Sequence, residues 1–227
     1  NAERPQKSAS MIKLLILNDF FVQANQGLCS VDEPYALQQS DIVGGDGVIK
    51  NKGAGYQTTY GELCKLMISE SDNTATNIII RKLGMVNINL RGAELGLMQT
   101  SLQREMMDSA AVAAGRENYT SARDVATLLK QIYNGTFVDA NASQFAMDAL
   151  KAQANPTGLL KGLPEGTCFA HKTGDLDTVQ NDGGIVLNDH PYIMVFLTQE
   201  GKDGYFNLDE TLSDMEGLAK TASKCIK

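Results

Sequence analysis

Three short groups of residues carry the side chains for nucleophilic chemistry. Ser10 and Lys13 stand three positions apart at the head of an apolar run, SASMIKLLIL. On a helix, positions i and i+3 share a face, so the hydroxyl and the amine can meet. A serine hydroxyl is a poor nucleophile until a neighbouring base takes its proton. A lysine can be that base when burial or a nearby cation lowers its pKa. The second group is Ser71-Asp72-Asn73, and the third is Lys172-Thr173-Gly174. A strand end carrying Lys and Thr and followed by Gly can grip a carboxylate and bring its backbone against a substrate. Taken singly, the groups also read as a helix start with a snorkelling lysine, a helix cap and a polar strand end.

The elements that must position these groups follow from pattern and punctuation. A helix is expected from about Ser10 to Ala24, with Met11, Leu14, Leu15, Leu17 and Phe21 as its buried stripe. A Gly-rich loop, GGDGVIKNKGAG, spans 44–55. Thr59 and Glu62 make a capping box for a helix ending near Ser69. SDNTATNIIIRKLG reads as another helix, stopped at Gly84. A loop is expected from Gln99 to Tyr119, then amphipathic helices over Thr120–Tyr133 and Ala140–Ala152. After Pro164 the pattern changes to strands around TCFAHKTG, DGGIVLN and YIMVFLTQ, with a turn at Asn188-Asp189 and a last helix over Leu208–Cys225. The class is α+β: a helical part over about 9–163, then a short antiparallel sheet and terminal helix over 164–227, read as one domain.

Composition narrows the function classes. With 43% apolar residues in 227, the chain can bury a substantial core. A net charge of −7 without a basic cluster argues against nucleic acid or an anionic membrane surface as partner. No apolar run approaches the roughly 20 residues of a membrane span, and the amino terminus lacks a signal-peptide pattern. The two histidines, His171 and His190, lie in no metal-ligand pattern, so neither metal nor cofactor is expected. The spacing of Cys29, Cys64, Cys168 and Cys225 selects no pairing, leaving buried thiols and disulfides both open.

Together, and in this order, SxxK, SDN and KTG resemble the signature set of class A β-lactamases and penicillin-binding proteins, from about Pro5 to the carboxyl terminus. The resemblance implies their fold, an extracytoplasmic location and a β-lactam or peptidoglycan-like substrate. It makes Ser10 the acylated nucleophile, Lys13 its base and Ser71 the proton relay to the leaving nitrogen. Asn73 would hold the substrate amide, and Lys172, Thr173 and Gly174 its carboxylate and backbone. The N–H groups of Ser10 and Asp175 would form the oxyanion hole. Asn77 matches the family's structural asparagine.

The sequence also departs from that family. Its deacylating glutamate lies two residues after the arginine that opens the Ω-loop. With Arg104 and Gly115 in register, that position is Met106, its companion asparagine is Ala110, and the loop-closing aspartate position is Tyr119. Glu105 and Asp108 are the nearby carboxylates that could substitute. Only Gln180 and Asn181 stand where an arginine often assists carboxylate binding, and Asp175 and Asp177 add two acids. The expectation is therefore an acyl-enzyme on Ser10 that is released slowly. A DD-peptidase or esterase of the same fold, and a silent binding module, are the alternatives. The family carries a helix and two strands before its SxxK helix, whereas nine residues precede Ser10 here. The reading is accordingly an N-terminally truncated fold whose strand edge at 192–199 pairs with another chain.

Overall fold

The computed structural model describes residues 1–201 and 203–226. In chain order the elements are β1 (Gln6–Lys7), α1 (Lys13–Asn25), β2 (Pro34–Ala36), β3 (Gln57–Thr59), α2 (Tyr60–Ser69) and α3 (Asn73–Leu83). Then come α4 (Met85–Glu94), α5 (Ser109–Ala113), β4 (Tyr119–Thr120), α6 (Ala122–Tyr133) and α7 (Ala140–Lys151). The chain closes with α8 (Gly158–Gly162), β5 (Cys168–Leu176), β6 (Val179–Leu187), β7 (Tyr192–Leu197) and α9 (Leu208–Cys225). The main sheet is antiparallel in the order β5-β6-β7, and two-stranded pairs join β1 to β4 and β2 to β3.

The helix α1 is buried on all sides rather than along one stripe: Leu14, Leu15, Ile16, Leu17 and Phe20 are inaccessible to solvent. An apolar perimeter of this kind marks a central helix. It packs against α2, α3, α4, α6 and α7. The sheet lies between two helical layers. Helices α6 and α7 cover one face, while Leu159, Phe169, Val186, Met194, Met215 and Ala219 form an apolar cluster with α8 and α9 on the other.

Several expectations shift in detail. The nucleophile segment is not α-helical from Ser10: Ala9–Ile12 form a 3₁₀ turn, and α1 begins at Lys13. Tight turns of this kind are common at helix starts. Gly84 ends α3 as expected, with φ +85, but it also opens α4, which pattern alone did not separate. The expected 99–119 loop contains α5, capped by the Asp108 carboxylate accepting from Ala111 N–H at 2.9 Å. Strand β7 stops at Leu197, short of residue 199, and no strand pairs with its outer edge among the described residues. All four cysteines are free thiols, with Cys29 and Cys64 buried. Among the described residues, no helix is long and apolar enough to cross a membrane, and no group of three or more His, Cys, Asp or Glu residues could hold a metal ion.

Candidate active site

The three motifs meet where the start of α1, the start of α3 and strand β5 converge. Lys13 is fully buried. Its Nζ lies 2.8 Å from Ser10 Oγ, 2.7 Å from the Ser71 carbonyl oxygen and 3.0 Å from Asn73 Oδ1. A neutral amine has two N–H groups and one lone pair. Donating to the Ser71 carbonyl and Asn73 Oδ1 leaves the lone pair for the Ser10 hydroxyl proton. Ser8 cannot take that role, because it is buried and its hydroxyl donates to Ala9 O at 3.1 Å.

Ser71 Oγ sits between two amines. Lys172 Nζ donates to it at 2.9 Å, and Lys13 Nζ lies 3.3 Å away. Lys172 also donates to the Thr173 carbonyl at 2.8 Å, and both Lys172 and Thr173 are buried. Burial holds the Lys13 amine well below its ordinary pKa, and the charge of Lys172 lowers it further. Burial likewise brings Lys172 down to about 8, against the opposing pull of Asp175, Asp182 and Asp46. Asp175 reaches solvent at the cleft rim, yet partial desolvation lifts its carboxyl to about 6.

Local backbone geometry sets these positions. The non-glycine residues with positive φ among those described are Ala9 at 45°, Ser71 at 51° and Met107 at 63°. Ala9 and Met107 line the cleft, and Ser71 is buried behind it against Lys13. Such conformations cost about 1–3 kcal/mol each and persist only where surrounding contacts impose them. For Ser71 the next residue supplies the anchor. Asp72 caps α3 by accepting from Ala75 N–H at 2.9 Å, and its second oxygen accepts from the N–H groups of Val48 and Ile49 at 2.7 and 2.8 Å. The Gly-rich loop is thereby pinned to α3. At Gly47, with φ +115, a Cβ would fall 2.3 Å from Asp72 Cγ.

Strand β5 presses against the nucleophile turn at Gly174. A Cβ there would meet Ser10 N at 3.0 Å, Ser8 O at 3.1 Å and Ala9 Cβ at 3.2 Å. Absence of a side chain lets Ser10 and Asp175 approach and line one cleft of about 280 Å³. Asn181 holds the other side of this junction, donating to Lys7 O at 3.0 Å and accepting from Thr198 N–H at 2.9 Å. Gln180 donates to Asp175 Oδ1 at 2.7 Å. Both amides are thus engaged within the protein.

The segment over the cleft follows a pattern that residue spacing did not disclose. Glu117, not the expected position Tyr119, closes the segment: the buried Arg104 guanidinium pairs with Glu117, two residues earlier, at 2.7 Å. Met106 lines the cleft near Ser10. Glu105 points elsewhere, bound in a two-pronged pair to Arg81 at 2.9 and 2.6 Å. Asp108 lines the cleft while capping α5. Asp46, from the Gly-rich loop, forms a further part of the wall beside Asn73. Its one sequence signal was position within a loop that must lie close to something.

Comparison with known proteins places this arrangement. The chain resembles the structure of PBP-A at 27% identity, with a TM-score of 0.88 over 99% of this chain and 82% of that one. It is similar to a β-lactamase from Sphaerobacter thermophilus at 25% identity, TM-score 0.86, over 100% and 87% of the two chains. A leucine-to-glutamate mutant of PBP-A, an acyl-enzyme complex with penicillin G, matches at 27% identity and TM-score 0.85 over 99% and 83%. The beta-lactamase enzyme family matches residues 1–226. With its motifs gathered into one cleft and the family pattern running along the chain, this protein belongs to the beta-lactamase enzyme family.

Proposed function

We propose that the protein is a serine hydrolase that opens β-lactam rings through an ester on Ser10 and releases that ester slowly. The observation that carries this reading is the 2.8 Å contact between Ser10 Oγ and a buried, pKa-lowered Lys13. In the proposed reaction, the Ser10 proton passes to Lys13 Nζ as Oγ attacks the lactam carbonyl. The oxyanion is received by the N–H groups of Ser10 and Asp175. As the carbon–nitrogen bond breaks, the ring nitrogen takes a proton from Ser71 Oγ, which regains one from Lys13. Lys172 and Thr173 receive the substrate carboxylate, Gly174 lets the strand approach, and Asn73 receives the amide side chain. No cofactor or metal enters the scheme.

Release needs a water activated on the opposite side of the ester. Met106 cannot accept a proton, and Glu105 is occupied by Arg81. Of the carboxylates on the segment over the cleft, that leaves Asp108, which is engaged as a helix cap. This shortage favours a second reading of the same cleft, a penicillin-binding peptidase or esterase acting outside the cytoplasm on a peptidoglycan-like acyl donor. The outer edge of β7 would be filled by a strand of another chain, consistent with an all-apolar edge.

The test is incubation with a chromogenic cephalosporin while colour and intact mass are followed together. Sustained colour supports the hydrolase. A burst equal to the enzyme concentration, with a stable adduct on Ser10, supports the peptidase reading. No adduct means a silent binding module, and an adduct persisting in Ser10→Ala removes the assignment.

A further inference from the structure

The charged groups along the cleft that have no ion-pair partner among the described residues are acids. Asp46 and Asp175 both line the space beside Ser10 and Asn73, and Asp177 borders its outward continuation. Asp46 is placed by its own backbone, whose carbonyl accepts from Asn73 N–H at 3.1 Å. Its carboxylate is exposed and makes no ion pair or hydrogen bond among the described residues. The cations that border the same space are already neutralised. Arg104 pairs with Glu117 at 2.7 Å and Lys7 with Glu200 at 3.0 Å. Lys13 and Lys172 are buried and turned toward Ser71.

We propose that Asp46 and Asp175 make the cleft selective for acyl donors carrying an aliphatic ammonium on the side chain that lies against Asn73. This rests on the Ser10 acylation reading and specifies its substrate. Asn73 and Asp46 are joined through their backbones, so a group reaching the Asn73 amide passes an unpaired carboxylate. Asp175 faces it from the strand side. An ammonium placed between them is attracted by both. A carboxylate there is repelled by both and finds no free cation among the cleft-lining residues described. Exposed charge pairs are individually weak, but attraction of one substrate and repulsion of the other add. The expected discrimination between cationic and anionic side chains is roughly tenfold or more. It weakens at high salt, because the carboxylates are solvent-facing.

Three penicillins with a common nucleus test this: ampicillin with an ammonium on its side chain, neutral benzylpenicillin, and carbenicillin with an added carboxylate. Acylation of the intact protein is timed by mass spectrometry near pH 7. The expected order of rates is ampicillin, benzylpenicillin, carbenicillin, with the ratio of first to last compressed several-fold in Asp46→Asn and in high salt. Adducts that form on Ser10 at equal or reversed rates overturn the selectivity and leave the acylation chemistry standing. A ratio unchanged in Asp46→Asn and in high salt does the same. Failure of all three to acylate Ser10 overturns both.

Discussion

Asn77 holds Met106 by both polar groups of its backbone. The side-chain Nδ2 donates to Met106 O at 3.0 Å, and Met106 N–H donates to Asn77 Oδ1 at 2.8 Å. Asn77 lies on α3, four residues from Asn73, so the loop over the cleft is fastened to the helix that carries the SDN motif. The position of residue 106 beside Ser10 therefore comes from the main chain, and its side-chain chemistry is a separate variable.

That separation predicts the behaviour of Met106→Glu. The backbone clamp should survive, and a carboxylate should arrive in the wall of the Ser10 cleft. General-base assistance contributes about 10²–10⁴-fold. The lifetime of a penicillin adduct, followed by intact mass after removal of excess drug, should fall by at least about 10². An unchanged lifetime in a folded variant would show that water does not approach the ester from this side.

The Arg104–Glu117 pair predicts a stability effect. The two side chains are 8% and 13% exposed, and the same Glu117 oxygen also accepts from Asn118 N–H at 2.8 Å. Removing one partner of a buried pair leaves an uncompensated charge and costs about 3–5 kcal/mol. Glu117→Ala should lower Tm by roughly ten degrees in a chain of this size. Pairing it with Arg104→Met should recover part of that loss. Calorimetry giving equal losses for the single and double variants would mean that the unpaired Arg104 charge is not what destabilises Glu117→Ala.

Much of this fold was readable in the chain because it rests on local chemistry. Thr59 caps α2 by accepting from Glu62 N–H, as the capping box predicts, and the amphipathic run expected from Thr120 appears as α6. The apolar run at β7 reads as a strand from its composition and flanking turn. What could not be read depends on contacts between distant segments. Ser71 adopts positive φ because Asp72 is tied to Val48 and Ile49. Glu117 replaces the expected closing residue because a longer side chain from an earlier position can reach Arg104. Asp46 enters the cleft through the loop that Asp72 anchors. Motif spacing identified the residue types that converge, whereas the loops around them are fixed by tertiary hydrogen bonds.

Gly174→Ala should disturb the junction between Ser10 and Asp175, whose N–H groups are the proposed oxyanion donors. The added methyl would sit 3.0 to 3.2 Å from atoms of Ser8, Ala9 and Ser10, two of them backbone. Neither the 3₁₀ turn nor β5 can yield without moving the Ser10 and Asp175 N–H groups apart. Loss of one such donor slows acyl transfer by about 10²–10³-fold. The variant should still fold, since the β5–β6 ladder is untouched, and its far-ultraviolet circular dichroism should match the parent. Acylation at the parental rate would contradict the assignment of these two N–H groups.

The two buried lysines predict a pH profile with assignable limbs. Lys13 must be neutral to take the Ser10 proton, so acylation should rise with pH through its lowered pKa. Lys172 loses its charge above about 8, and substrate carboxylate binding should fail there. Its deprotonation also removes a field that keeps Lys13 neutral, so the two amines titrate as a pair. The alkaline fall cannot be assigned to unfolding by Lys172. Its folded pKa lies below the ordinary 10.5, so the native state binds that proton less tightly than the unfolded chain. Between about 8 and 10.5 this group therefore makes the protein more stable as pH rises. Stopped-flow acylation and chemical denaturation over one pH series should move in opposite directions above pH 8. Lys172→Arg, which keeps its charge, should shift the alkaline limb upward. A rate that stays level through that region would mean that Lys172's charge has no part in the reaction.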